Sequence, residues 1–391
     1  MKACMISYSF YESDNRVRKY AESLSARGDH VDVISLARGE DEPFGTINGV
    51  NIYRIQKRLV NEKGKFSYLF RLLKFLFLSA YRVSRLHLRE PYDVVHVHNV
   101  PDFEVFAAFI PKFTGAKVIL DIHDILPEFY TAKFKDGKGS IVYKGLLIVE
   151  RLSMAFADHV IISNHIWQER ALGRSVLNGK CSVIMNYPDP AIFHPRTVKK
   201  DPAKFIMLYP GTLNKHQGLD IAIRAFDRIK DQIPEAEFRI IGDGAEKPVL
   251  EKLIVDLGLE KRVTIRGMIP SDKIAEEMAK ADVGIVPKRD EGFGGEAFST
   301  KTWEFMCLKV PIILARTRID DYYFNDKVVR FFEPGNEESL AHSIIELRKN
   351  GQARDEQVRE AYEYIKDKSW EFKKQEYFAL LNQLRGNIAA N

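Results

Sequence analysis

The stretch "EAFSTKTWEF", residues 296–305, sets two carboxylates, Glu296 and Glu304, eight positions apart with one lysine, Lys301, between them. Eight residues is a little over two helical turns, too far for an i,i+4 pair. The preceding "RDEGFGGEAFS" is polar and glycine-bearing, and it leads into a helix that begins near Ser299 or Thr300. The open N–H groups and dipole of such a helix start favour an anion. Lys301, in the first turn, is poorly placed for the helix and well placed to clamp a phosphate. A helix start aimed at a diphosphate puts the two acids on opposite sides of it. Carboxylates accept paired hydrogen bonds from vicinal hydroxyls, so one suits a ribose and the other a sugar. The same spacing is met by a solvated loop acid and a surface helix residue.

Other strand ends in this half carry matching chemistry. "LYPGTLNKHQG" places Gly211, Thr212, Lys215 and Gly218 at a strand-to-helix turn, where backbone N–H groups and a lysine suit a phosphate. "IIGDG" puts Gly242 and Gly244 at the next turn, where backbone can approach a ligand closely. "IRGMIP", with Gly267 and Met268, ends a third strand, and recognition of a nucleotide base is expected near it. Neither G-x-G-x-x-G after a strand nor a Walker sequence is present, which counts against nicotinamide and P-loop chemistry.

These residues need a scaffold, and the chain supplies one twice. Short apolar runs alternate with helical-period segments: "KACMISY", "HVDVISL", "VNIYRI", "DVVHVHNV", "AKVILDIHD" and "HVIIS" in the first half, with a helix over roughly 102–113. "CSVIMNYPDPAIFHPRTVKKDPAKF", with four prolines, breaks the rhythm as a linker ending near Lys204. The alternation restarts with "FIMLYPG", "EFRIIGDG", "VTIRG", "DVGIVP" and "VPIIL", and long helical stretches close the chain. The pattern predicts α/β class: two doubly wound, Rossmann-like domains over 1–190 and 204–369, with a helix over about 370–391 returning to the first. At 391 residues two domains are also what chain length favours. Ligands are expected beyond the carboxyl ends of the strands, in a cleft between the sheets.

The bulk numbers set bounds. A 45% hydrophobic and 29% charged composition is that of a soluble globular protein, and a net charge of +5 is too small to indicate nucleic-acid binding. Cys4, Cys181 and Cys307 are isolated in apolar runs, the pattern of core residues in a reducing compartment. No secretory signal or stretch of roughly 18–20 apolar residues is seen, so the expected location is cytoplasmic.

With these residues in view, the whole chain resembles the GT-B glycosyltransferases, specifically the retaining glycosyltransferase family 4. Members carry an E-x7-E motif that Glu296 and Glu304 fit, continuing as "FMCLKVPII" with Pro311 in register. "FSTKTWEFMCLKVPII" is similar to the subgroup pattern FPSKxxEYMAxGKPVI. The resemblance implies that Glu304 contacts the ribose, Glu296 the transferred sugar, and backbone amides around Phe298, Ser299 and Thr300 the sugar and diphosphate. One departure stands out. Where many members have G-R-L-x-x-x-K-G, this chain has Thr212 at the arginine position and Gln217 at the lysine position. A departing diphosphate needs cationic help, which Lys215 or Lys301 is left to supply; Lys301 is favoured.

In the first half, "VVHVHNVPDF" and "LDIHDILPEFY" end strands with histidine and acid. His96 and His98 are read as facing opposite sides of their strand and therefore as no metal pair. The family resemblance carries a donor-facing histidine onto His123, with Asp124 beside it. "YESDNRVRKYAESLSARG" resembles the Asp-x-Arg-Val opening of the subgroup. Asp14 is expected to cap the first helix, with Asn15 as a rival, and Arg16 is either a surface residue or an acceptor or phosphate contact; Asp14, Arg16 and Asp124 are the candidate acceptor contacts. The Gly-Gly usual in this loop is missing, so acceptor recognition is not carried over. No D-x-D occurs and no metal is expected; retention implies front-face transfer with the leaving phosphate helping to deprotonate the acceptor.

One further segment, "GKFSYLFRLLKFLFLSAYRVSRLHLRE", carries seven Lys/Arg and no acid from Lys63 to Arg89. Phe66, Leu69, Phe70, Leu73, Phe77 and Tyr81 recur at helical spacing. Such a helix suits an anionic membrane interface, with Lys65, Arg71, Lys74, Arg82 and Arg85 as headgroup contacts, or burial on the first sheet with a solvated basic edge. The expected function is transfer of a sugar from a nucleotide donor, UDP by family frequency, to a saccharide or polyprenyl-linked acceptor in bacterial surface polysaccharide assembly, with no cofactor. Alternatives on the same fold are a sugar-nucleotide 2-epimerase, a phosphorylase, or a non-catalytic sugar-binding scaffold, the last supported by Thr212 and Gln217.

Overall fold

The computed structural model describes residues 1–58, 65–134, 139–177 and 179–386. The chain forms two compact units, residues 1–186 with the described residues from Lys373 onward, and Tyr187–Phe372.

Strands of the first unit are β1 (Lys2–Ser7), β2 (His30–Ala37), β3 (Phe44–Ile47), β4 (Val50–Lys57), β5 (Val94–His98), β6 (Lys117–Ile122), β7 (His159–Ile162) and β8 (Cys181–Val183). They lie side by side in the order β3-β4-β2-β1-β5-β6-β7-β8. All pairs are parallel except the β3–β4 hairpin. β5 is buried at every residue, as befits a strand covered on both faces. Around the sheet run α1 (Asn15–Ala26), α2 (Lys65–Arg89), α3 (Phe109–Phe113), α4 (Leu126–Phe134), α5 (Ile141–Phe156) and α6 (His165–Leu172). Asp14, not Asn15, caps α1: its Oδ1 accepts from the N–H groups of Arg16 at 3.2 Å and Val17 at 3.1 Å.

Three elements differ from expectation. β3 was hidden by its brevity, although Asn48-Gly49 marks the turn: both residues have positive φ, as a primed two-residue hairpin requires. The "CSV" assigned to the linker is β8, because it finds an edge to pair with beside β7. The helix expected over 102–113 is mostly a tighter 3-10 turn, Asp102–Ala108, before α3.

The second unit holds β9 (Phe205–Pro210), β10 (Ala236–Ile241), β11 (Val263–Arg266), β12 (Val283–Val286), β13 (Ile312–Ala315) and β14 (Arg330–Phe332). All are parallel, in the order β11-β10-β9-β12-β13-β14. Its helices are α7 (Leu219–Ile229), α8 (Lys247–Asp256), α9 (Ser271–Lys280), α10 (Phe293–Glu296), α11 (Thr300–Cys307), α12 (Arg318–Tyr323), α13 (Glu337–Lys349) and α14 (Gly351–Ile365). Met207 and Tyr209 of β9, Phe226 of α7, Phe238 of β10 and Ile344 of α13 share one core. α10, α12 and β14 are additions to the sequence reading; α10 winds part of the segment taken as a glycine loop.

A last helix, α15 (Trp370–Gly386), packs on the first unit through the fully buried Tyr377. Its Oη lies 2.9 Å from His96 Nδ1. Strand order reverses between β1 and β5 in one unit and between β9 and β12 in the other. The carboxyl ends at those two places are where open α/β sheets hold ligands.

Candidate functional site

In the second unit the turn after β9 lies against the end of β12: the Arg289 N–H donates to His216 O at 2.9 Å. Gly211 opens that turn with φ +134°, and a Cβ there would fall 2.3 Å from Lys301 Cε. Glycine at 211 is thus what lets the Lys301 stem cross the turn. A Cβ on Gly242 would lie 1.8 Å from Gly211 O, so the turns after β9 and β10 touch backbone to backbone. Asp243 Oδ1 holds the Gly244 N–H at 2.8 Å.

Lys301 stands in the first turn of α11 with its ammonium 5.1 Å from the centre of the Tyr209 ring. Burial lowers its pKa to about 8, with Glu304 opposing and Lys288 adding to the fall. Ser299, the N-cap of α11, makes no side-chain cap, and its buried Oγ has no protein partner among the described residues. The helix start therefore keeps donors for an anion. Thr300 begins the helix and is half-buried. Phe298 turns its ring into a cluster with Trp303 and Tyr323, centroids 4.6 and 5.1 Å away, which leaves its backbone as the group it offers a ligand.

Glu296 is buried at the end of α10, where Arg318 Nη1 donates to its Oε1 at 3.0 Å. Glu304 lies one helical turn beyond Lys301 and is half-buried. The departures at 212 and 217 have a structural account. Tyr209 Oη lies 2.8 Å from Thr212 O and 3.0 Å from Gln217 Oε1, while the Gln217 amide donates to His216 Nε2 at 3.0 Å. Burial, with Lys301 and Lys288 nearby, lowers His216 to about 4, so its ring is neutral and accepts. Lys215 and Met268 are exposed.

Two residues of this region were missed. Lys288, just past β12, is 2% exposed; its Nζ reaches Asp320 Oδ2 and Ala297 O, each at 2.8 Å, and so pins the loop that carries Glu296. A lysine at the carboxyl end of a strand at the reversal point was a usable signal. Arg318 gave none, since 22 residues separate it from Glu296.

The first unit gathers a second polar group, and here the reading needs correction. His96 and His98 share one face, with rings stacked at 4.2 Å, because residues i and i+2 of a strand point the same way. His98 pairs in register with Asp121 on β6. Arg16 is no surface residue: it is 6% exposed and donates from Nε and Nη2 to the two Asp121 oxygens at 2.8 and 2.7 Å. Its Nε and Nη2 are engaged there and on the Ile184 carbonyl, so the surface reading of Arg16 does not hold, while Asp14 Oδ1 serves the α1 cap. Burial alone would raise the Asp121 carboxyl, but Arg16 and His123 hold it well below the usual range. His123 Nε2 lies 3.1 Å from Asp121 Oδ2, and its backbone N–H donates to Asn99 Oδ1 at 2.7 Å. Burial raises the Asp124 carboxyl, and its carbonyl accepts from Asn99 Nδ2 at 2.8 Å. His96, His98 and Asp121 present ligand atoms within 4.8 Å of one another. The Arg16 guanidinium already spans both Asp121 oxygens, so the set fits an ion pair better than a metal.

Along α2, Lys74 and Arg85 are exposed and Arg71 is half-buried. Arg82 instead lies over the Tyr53 ring at 5.2 Å. The Lys65 and Phe66 side chains lie outside those described. No helix among the described residues is long and apolar enough to cross a membrane.

Residues 192–364 match the family model for glycosyl transferases group 1, and residues 13–186 match the glycosyl transferase 4-like domain. An uncharacterized glycosyltransferase of Methanocaldococcus jannaschii is 25% identical over 318 residues, 75% of this chain and 74% of the relative. A component of the human phosphatidylinositol N-acetylglucosaminyltransferase is 22% identical over 299 residues; the match takes in 74% of this chain and 58% of that protein. Among solved structures, Anabaena HepE in complex with UDP and glucose superposes with a TM-score of 0.73 at 18% identity, covering 98% of this chain and all (100%) of that one.

Proposed function

Since the chain belongs to the group 1 glycosyl transferases of the GT-B fold, we propose that it moves a sugar from a UDP-linked donor to a lipid-linked or saccharide acceptor in bacterial surface polysaccharide assembly. Transfer retains anomeric configuration and proceeds without a divalent metal, at the inner face of the cell membrane.

The observation that carries this reading is Lys301 at the uncapped start of α11, its stem laid across Gly211 and its pKa drawn down to about 8. A partly desolvated cation beside free helix N–H groups suits the charge that grows on a leaving diphosphate. Glu304 takes the ribose hydroxyls. Glu296, oriented by Arg318 and by the loop that Lys288 pins, takes the transferred sugar. In the first unit Asp121 fixes the ring of His123, the residue onto which the family resemblance carries a donor-facing histidine. UDP is supported by the HepE complex and a lipid-linked acceptor by the human relative, each a property of that protein.

A thermal-shift panel of UDP, GDP, ADP and CDP, each with and without EDTA, tests the proposal. Ligand at 100 times its dissociation constant adds about 2.7 kcal/mol, several degrees for a domain of this size. A rise with UDP alone, unchanged by EDTA, is the expected result. No shift with any nucleotide would mean that Thr212 and Gln217 mark a lost diphosphate site, and the scaffold reading would replace this one.

A further inference from the structure

We infer that the groove between α2 and α3 binds the hydrocarbon tail of an anionic phospholipid, with Arg85 and Arg89 on its phosphate. The inference deepens the membrane side of the proposed function and rests on it.

Phe70, Leu73, Phe77, Tyr81 and Leu88 follow one another at three-, four- and seven-residue steps and so share one face of α2. That face is the outer one: Phe70 and Phe77 are each 70% exposed, Tyr81 63% and Leu88 69%. The opposite face, Leu72, Phe75, Ser79 and Val83, is buried. Phe109, Ile110 and Phe113 of α3 are exposed as well. Where α2 meets α3 the surface opens into a groove of about 700 Å³ lined by Tyr81, Ser84, Leu88, Ala107, Phe109 and Ile110, with Arg85 and Arg89 also on its wall.

The wall is built rather than collapsed. His87, buried on α2, takes the Tyr92 N–H on Nδ1 at 3.0 Å and meets Thr114 Oγ1 through Nε2 at 2.8 Å. Thr114 Oγ1 also lies 2.7 Å from Ile110 O, so the end of α2 is tied to the end of α3. A groove already held open needs no ordering when a ligand arrives.

Its chemistry selects a tail over a peptide. Apart from the two arginines, the side-chain hydrogen-bonding groups it offers among the described residues are the Ser84 and Tyr81 hydroxyls, and Arg85 already reaches Tyr81 Oη at 3.3 Å. A peptide backbone would bring N–H and C=O groups that find no partners there, whereas a hydrocarbon chain brings none. Seven cations and no acid between Lys63 and Arg89 complement a phosphate and an anionic surface. The apolar face also runs beyond the groove to Phe70 and Phe77, which an isolated soluble ligand would leave in water and a bilayer would cover.

The test uses the full chain with vesicles of phosphatidylcholine, or of phosphatidylcholine and phosphatidylglycerol, doped with a phosphatidylglycerol carrying a diazirine in its acyl chain. Irradiation and peptide mapping are expected to place label on residues 81–88 and 107–110, at least fivefold more with the anionic vesicles. Leu88→Glu, at an exposed position, is expected to cut that label at least fivefold while co-sedimentation falls less than twofold and the UDP thermal shift is kept. Arg85→Glu with Arg89→Glu is expected to lower the anionic preference of the groove label at least threefold. Label confined to Phe70, Phe77 and Phe113, or label on the groove unchanged by Leu88→Glu, with co-sedimentation intact, would overturn the inference and leave the groove to a peptide or protein. Failure of the parent chain to co-sediment with either vesicle would overturn it together with the membrane part of the proposed function.

Discussion

Arg16 and Lys301 are two cations in equivalent places, each in the first turn of a helix at the carboxyl edge of a parallel sheet, and the protein treats them oppositely. Arg16 is locked: both Asp121 oxygens and the Ile184 carbonyl take its donors, and the pair keeps Arg16 charged and Asp121 ionised. Lys301 is poised: burial lowers its pKa to about 8, so it sits near the point of losing its charge. A satisfied buried pair organises a fold, whereas a partly desolvated single charge waits for an anion. The same helix-start position therefore marks structure in one unit and chemistry in the other, and only the company of each cation separates them.

The comparison breaks most visibly through Asp121→Ala. Leaving Arg16 buried without its carboxylate is expected to cost the first unit about 3–5 kcal/mol, read as an early unfolding transition in urea. A loss under about 1 kcal/mol, the range of exposed ion pairs, would show that Arg16 is not locked.

Lys301→Met is the counterpart. UDP affinity measured by calorimetry is expected to fall about 100-fold, the ~2.7 kcal/mol of a charge-assisted contact, while the ligand-free protein unfolds no earlier than the parent. Destabilisation with affinity intact would reverse the assignment of the two cations.

The carboxylates sharpen the poised side further. Glu304→Ala is expected to weaken UDP about tenfold, ~1.4 kcal/mol. Glu296→Ala should leave bare UDP affinity within about twofold and abolish sugar transfer, since it removes a contact made to the moving group. Equal losses of UDP affinity in the two variants would dissolve that division of labour.

The smallest effect is the pH dependence. The folded pKa of Lys301, about 8, lies below its ordinary 10.5. Carrying the charge therefore costs the folded state below about pH 8, and that cost is relieved as pH climbs toward 10.5. A diphosphate favours the protonated amine, so the Lys301 contribution to UDP affinity, read as parent against Lys301→Met, is expected to be full below about pH 7 and to fall above pH 8. Calorimetry in buffers of different ionisation enthalpy should show uptake of about half a proton at pH 8. Lys301→Arg should flatten both curves.

The sheets were legible because their strands are continuous apolar runs: β1, β5, β9 and β12 sit where "KACMISY", "DVVHVHNV", "FIMLYPG" and "DVGIVP" placed them. The start of α11 was legible too, since a polar, glycine-bearing segment ahead of a helical period announces a helix N-terminus. β8 and β14, of three residues each, were not, because a strand that short is defined by the neighbour it pairs with. The role of Arg16 was hidden for the same kind of reason: its partner is 105 positions away.

Sequence by itself determined the α/β alternation, the family resemblance and the spacing of Glu296, Lys301 and Glu304, because periodicity and local motifs are properties of neighbours along the chain. Tertiary structure alone decided which charges are spent and which are available. It buried Arg16 on Asp121, turned His96 and His98 onto one face with it, set Lys288 on Asp320 and laid Lys301 across Gly211. Charge state and availability depend on solvent exclusion and on partners brought in from distant segments, and neither is written in any local stretch of residues.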